Sequence, residues 1–205
     1  MSLPPFELPP LKGNGLFRLA NDDGVDYPIA CIGLNGGRYT MGDYAQGYFF
    51  AGDRLIESIR HKRCDLDVLI YPVVYVYRHG IELSLKYLAE RIPVLLGHSG
   101  EFTWGHELLQ NWRQVRELLV QTRTDYPGER SIKEKTLRWV DGVLRQFAEL
   151  DPGGVTFRYP TDSKGKNRLI RRSHVNYMNF YKDVKPLSEQ FVRWMSSIDE
   201  MIAQA

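Results

Sequence analysis

Between Pro72 and Pro93 the apolar residues Val74, Tyr77, Ile81, Leu85 and Leu88 recur at three- and four-residue steps, with charged residues between them. That period is helical, and it gathers the apolar side chains into one stripe that has to be buried against another element. A half-buried strand would instead alternate residue by residue, so this segment commits the chain to packing helix on helix. The spacing predicts a helix from about Pro72 to Arg91, with Pro72 accommodated in its first turn and Pro93 ending it.

Further segments carry the same signature. From Asp43, read as an N-cap, the residues Ala45, Tyr48, Phe49, Gly52, Leu55, Ile56 and Ile59 mark one face of a helix reaching about Lys62. Leu108, Trp112, Val115 and Leu119 predict a helix from about Gly105 to Thr122. Ser131 and Glu134 have capping-box spacing before a helix that uses Leu137, Val140, Leu144 and Phe147 and stops at Pro152-Gly153-Gly154. Leu187, Phe191, Trp194, Ile198 and Met201 predict a last helix from about Lys185 to Ile202.

Short β elements are expected at two places. Leu16–Leu19 and Tyr27–Leu34 flank an Asn21-Asp22-Asp23-Gly24 turn, and Val155, Phe157 and Tyr159 alternate before a polar turn and the basic segment Asn167–His174. Leu3–Pro10, rich in proline, reads as an extended arm. The expectation is a mainly α protein, a bundle of four to five helices with short β-hairpin elaborations. Residues 1–42 form the arm and first β region, and 43–205 form the bundle with a β/turn insertion near 155–175.

Composition narrows the function classes. Over 205 residues, 27 Lys and Arg face 25 Asp and Glu, a net charge of +2, so any nucleic-acid contact must come from a local basic patch. No run of about 18 apolar residues exists, and the start of the chain is proline-rich, which argues against a membrane span and a signal peptide. Cys31 and Cys64 lack Cys-x-x-Cys spacing and suggest a reduced, cytoplasmic setting. His98, Glu101, His106 and Glu107 match no zinc spacing, Gly33-x-x-Gly36-Gly37 lacks the lysine of a phosphate loop, and no nucleophile elbow is present. No metal or cofactor is expected.

Arg78, Glu82 and Lys86 stand at successive four-residue steps opposite the apolar stripe, with His79 beside them. They read either as a solvated ladder of ion pairs or as a polar seam between helices. An antiparallel neighbour starting at His106 and Glu107 would bring these residues together, and a buried seam would have to satisfy all its hydrogen bonds. Near the other end, Lys164, Lys166, Arg171 and Arg172 form a basic patch beside Arg168 and His174, with Tyr159, Tyr177 and Tyr181 flanking it.

The phrases Arg78-His79-Gly80-Ile81-Glu82-Leu83-Ser84-Leu85-Lys86, Gly105-His106-Glu107-Leu108 and Phe157-Arg158-Tyr159-Pro160 resemble those of HEPN-like bacterial helical proteins. The likeness spans roughly residues 72–166. It implies a four- to five-helix bundle, often dimeric, in a superfamily with metal-independent RNases of toxin, anti-phage and CRISPR-associated systems and with members that have lost catalysis. The nucleases carry an arginine followed after four to six residues by a histidine; Arg54–His61, Arg91–His98 and Arg168–His174 have that spacing here. Leu55, Ile92 and Leu169 follow these arginines, where the family has a polar residue.

In such a site the histidine moves the 2′-hydroxyl or leaving-group proton, and the arginine holds the phosphate. Arg168 and His174 are the candidates best placed for it. The implied role is therefore an RNase or RNA-binding module of a bacterial defence, toxin or mobile-element system, with RNA, a partner protein or a second copy as candidate partners. The rival reading is a non-catalytic interaction and dimerisation module, in which Arg78, His79, Glu82, His106 and Arg158 form a structural polar cluster.

Overall fold

A computed structural model of the chain describes residue 30 and residues 39–61, 65–98, 105–126, 132–169 and 174–205. Five helices lie among them: α1 (Met41–Arg60), α2 (Leu66–Leu95), α3 (Leu108–Asp125), α4 (Glu134–Leu150) and α5 (Tyr177–Gln204). The proline-rich arm, the expected strands between 16 and 34, both cysteines, Ser131, Arg171 and Arg172 lie outside the described residues.

α2 is the axis of the bundle and packs against α1, α3 and α5, while α4 closes the far side on α3 and α5. At 30 residues it is about 45 Å long. The expected stripe faces inward: Val74, Tyr77, Ile81, Leu85 and Leu88 are all buried, as are Trp112 and Leu119 from α3, Leu137 and Leu144 from α4, and Phe191 and Trp194 from α5. Trp112 and Trp194 stack with ring centroids 6.0 Å apart, and Phe191 meets both edge-on. Aromatic area of this kind supplies much of the burial that drives folding.

Helix ends differ from their sequence signals in instructive ways. α1 starts earlier than expected, because Thr40 is the N-cap and Asp43 is the third helical residue. The Asp43 carboxylate accepts from the Thr40 backbone, and the Thr40 hydroxyl accepts from the Asp43 backbone, a reciprocal capping box. α2 extends past both prolines. Asp65 caps it by accepting from Asp67 N, so Pro72 falls in the helix interior, and the chain continues beyond Pro93 to Leu95. A proline costs a helix the bond to the carbonyl four residues back, but the stripe on either side is buried deeply enough to hold the helix through it.

α3 begins only at Leu108, with Glu107 as its N-cap, so His106 precedes the helix and does not start it. At α4, Glu134 is the first helical residue and Lys133 the N-cap. The Glu134 carboxylate reaches Arg116 of α3 at 3.0 Å. α5 starts at Tyr177, well before Lys185, because the Asn176 side chain accepts from Met178 N and Asn179 N; Pro186 sits inside it.

The second expected hairpin is replaced by turns. No strand occurs among the described residues, and the segment holds a single antiparallel bridge, Thr161 to Asn167. The reason is Asp151, whose Oδ1 accepts from both Val155 N (2.8 Å) and Thr156 N (2.9 Å) and so takes the donors a strand ladder would have needed. No described helix is long and apolar enough to cross a membrane.

Candidate functional site: a buried arginine network

Arg78 enters the bundle from the middle of α2 and is almost wholly enclosed, at 2% exposure. An ionised guanidinium is costly to bury unless every face finds an acceptor. Here each nitrogen does. Nη1 donates to Glu82 Oε2 at 3.2 Å; Nη2 donates to the carbonyls of His106 (2.7 Å) and Pro152 (3.3 Å); Nε donates to the Asp151 carbonyl at 3.2 Å. Asp151 Oδ2 lies 3.4 Å from Nε as an ion contact without hydrogen-bond alignment.

Glu82, also 2% exposed, completes the centre by accepting on Oε1 from Lys86 Nζ and His106 Nδ1, both at 2.9 Å. Burial pushes its pKa upward, but the hydrogen bonds from Lys86 and His106 outweigh that, and the carboxyl is held below its ordinary value. The network ties four segments together: α2, the residues ahead of α3, the end of α4 and the turn after it. Gly154 closes the lid at φ +72°, where a Cβ would overlap the Arg78 guanidinium.

The expected cluster is thus brought together in part. Arg78, Glu82 and His106 meet, whereas His79 and Arg158 do not join them. The His79 ring stacks on Tyr75 (5.8 Å) and meets Tyr48 edge-on (4.6 Å), and burial lowers its pKa. Arg158 is exposed and lies over the rings of Tyr75 and Tyr159. Asp151 and Lys86 take their places. Asp151 was detectable only as the acid directly before Pro152-Gly153-Gly154, a position that reads as a helix stop.

At the basic turn, Asp162 Oδ1 accepts from Lys164 N and Lys166 N, which fixes the loop and lowers the Asp162 pKa. Lys164 and Lys166 are exposed. Arg168 spends its Nε on the Thr161 carbonyl at 3.0 Å, bracing the same turn, and His174 is exposed ahead of α5. The other two Arg–His spacings are also resolved: Arg54 pairs with Glu57, Arg91 with Asp199, and His61 caps α1.

A second polar centre escaped sequence reasoning. Asp53 of α1 accepts from Tyr77 (2.5 Å) and Tyr181 (3.3 Å) on Oδ1 and from Lys185 Nζ (2.7 Å) on Oδ2. Burial and the neighbouring carboxylate drive the Tyr77 phenol far above its ordinary pKa, and the Lys185 ammonium is held above its own despite burial by its bond to Asp53. Among the described residues no group of His, Cys, Asp and Glu could hold a metal ion. The chain matches no family model, no curated protein and no solved structure.

Proposed function

We propose that this chain is a HEPN-like bundle serving as a non-catalytic interaction module of a bacterial defence, toxin or mobile-element system, with the Arg78 network structural. The observation that carries the reading is the enclosure of Arg78: at 2% exposure, with four of its five N–H groups donating inside the fold and an acceptor on each nitrogen, it is not presented to a phosphate in an open cleft. Exposed aromatic side chains on α1, Tyr44 (58%) and Phe50 (60%), support a role in association.

The test is incubation of the purified protein with tRNA and single-stranded RNA in excess EDTA, followed by sequencing of new ends, beside light scattering for self-association. Uncut RNA with a folded protein is the expected result. Cutting that disappears in His174→Ala would overturn the reading and move function to the Arg168–His174 edge. A second reading, RNA contact without cleavage, is favoured by the exposed Lys164 and Lys166 on a turn that Asp162 holds in place. It predicts salt-sensitive RNA binding that weakens in Lys164→Gln/Lys166→Gln.

A further inference from the structure

Where the C-terminal end of α1 approaches the first turns of α5, Asp53, Ile56, Glu57, Arg60, His61 and Tyr181 line a cavity of about 400 Å³. Its acids arrive already partnered. Asp53 is taken by Lys185, Tyr77 and Tyr181, and Glu57 is taken by Arg54 at 2.8 Å. The Asp53 bond also holds the Tyr181 phenol in position at the cavity wall. Arg60 has no ion-pair partner among the described residues.

His61 is fixed in one tautomer by its surroundings. Its Nδ1 lies 2.7 Å from the Glu57 carbonyl oxygen, which only accepts, so Nδ1 carries the proton and the neutral ring keeps its lone pair on Nε2. The cavity therefore combines a guanidinium without an ion-pair partner among the described residues, a phenol whose proton is held by Asp53, and an imidazole acceptor. A guanidinium is matched by an oxyanion, and a bare imidazole nitrogen by a hydroxyl donor.

We propose that this cavity binds a small hydroxylated oxyanion, a phosphate ester or hydroxy acid, with Arg60 holding the anion and His61 Nε2 accepting from the neighbouring hydroxyl. The site goes beyond the interaction role above and stands independently of it. Arg60 also offsets the dipole at the end of α1, a role that predicts no ligand at all, so the experiment must read binding itself.

The full chain is titrated with glycerol 3-phosphate, inorganic phosphate and lactate while the His61 ring and Arg60 side-chain resonances are followed by NMR. Saturable shifts are expected with a hydroxylated anion, and tighter binding of glycerol 3-phosphate than of inorganic phosphate. Lactate binding as tightly as glycerol 3-phosphate assigns the anion as a carboxylate, and much weaker lactate binding assigns it as a phosphate. Arg60→Gln should lose about tenfold or more in affinity for every probe. His61→Phe should bring glycerol 3-phosphate down to the level of inorganic phosphate. Arg60→Lys, which keeps the charge but loses the planar donor fork, should bind every probe more weakly than the parent chain while keeping the hydroxyl preference, and serves should Arg60→Gln fail to fold. No saturable shift with any probe, or affinity unchanged in Arg60→Gln, overturns the proposal.

Discussion

Glu82 and Asp53 are both carboxylates that accept three hydrogen bonds each from charged or polar side chains, yet one is buried and the other borders a cavity. Their partners Arg78 and Tyr77 are consecutive residues of α2 and reach different centres. Around Glu82 the chain after α4 folds over the guanidinium, and Gly154 leaves no room above it. Around Asp53, whose side chain is 27% exposed, the donors are the buried Tyr77 phenol, the Tyr181 phenol on the cavity wall and the half-buried Lys185. An ion network whose guanidinium and carboxylates are enclosed orders the segments it joins; one left partly open can present polar groups to a ligand.

The sharpest way to break this contrast is to remove the sealed cation. Arg78→Met should cost about 3–5 kcal/mol, measured by urea unfolding, because Glu82 and Asp151 would be left as buried charges. Gly154→Ala should cost about 1–3 kcal/mol in the same assay, since the new Cβ meets Arg78 and the backbone holds φ at +72°. At the open centre, Tyr77→Phe should lose about 1.5–3 kcal/mol, the range for a hydrogen bond to a charged group. A loss at Tyr77 as large as that at Arg78 would erase the distinction.

Stability as a function of pH separates the two centres further. The folded Glu82 carboxyl lies below its ordinary value of 4.5, so its contribution is fully present above that value and is lost as pH falls through the folded value. Lys185 lies above its ordinary 10.5, so its contribution is fully present below that value and is lost as pH rises through the folded one. Glu82→Gln should flatten the acid limb of a melting-temperature profile, and Lys185→Met the alkaline limb. The smallest effect belongs to Arg54→Ala, which opens an exposed pair and should change stability by about 0.5 kcal/mol or less.

The five helices were legible because each carries a stripe of large apolar residues at helical steps, a signal that tertiary packing reinforces. Their ends were less so. Pro93 reads as a stop, but Ile92 and Leu95 beside it are buried and hold the last turn in the bundle. Val155, Phe157 and Tyr159 alternate as a strand does, but the Asp151 carboxylate four residues ahead of Val155 takes the backbone donors, a diversion that alternation alone does not reveal. In the site, Arg78 and Glu82 could be read from one helix and its four-residue period, and His106 from the expected antiparallel neighbour. Asp151 and the set Asp53, Tyr77, Tyr181 and Lys185 could not, because local periodicity says nothing about which polar residues two distant helices bring face to face.

The seam between α1 and α2 carries its own consequence. Tyr77 fills the notch at Gly52 and Phe49 the notch at Gly80, each ring 2.6 Å from where a Cβ would stand, and Tyr87 lies against Gly42. A step along α1 from Gly42 to Phe49 or on to Gly52 is matched by an equal step back along α2, so ring and gap alternate across the seam like a key and its wards. Sliding either helix by two turns would set Phe49 against Tyr87, ring on ring. The seam therefore holds α1 and α2 in a single register, and sliding one helix along the other is blocked by side-chain volume.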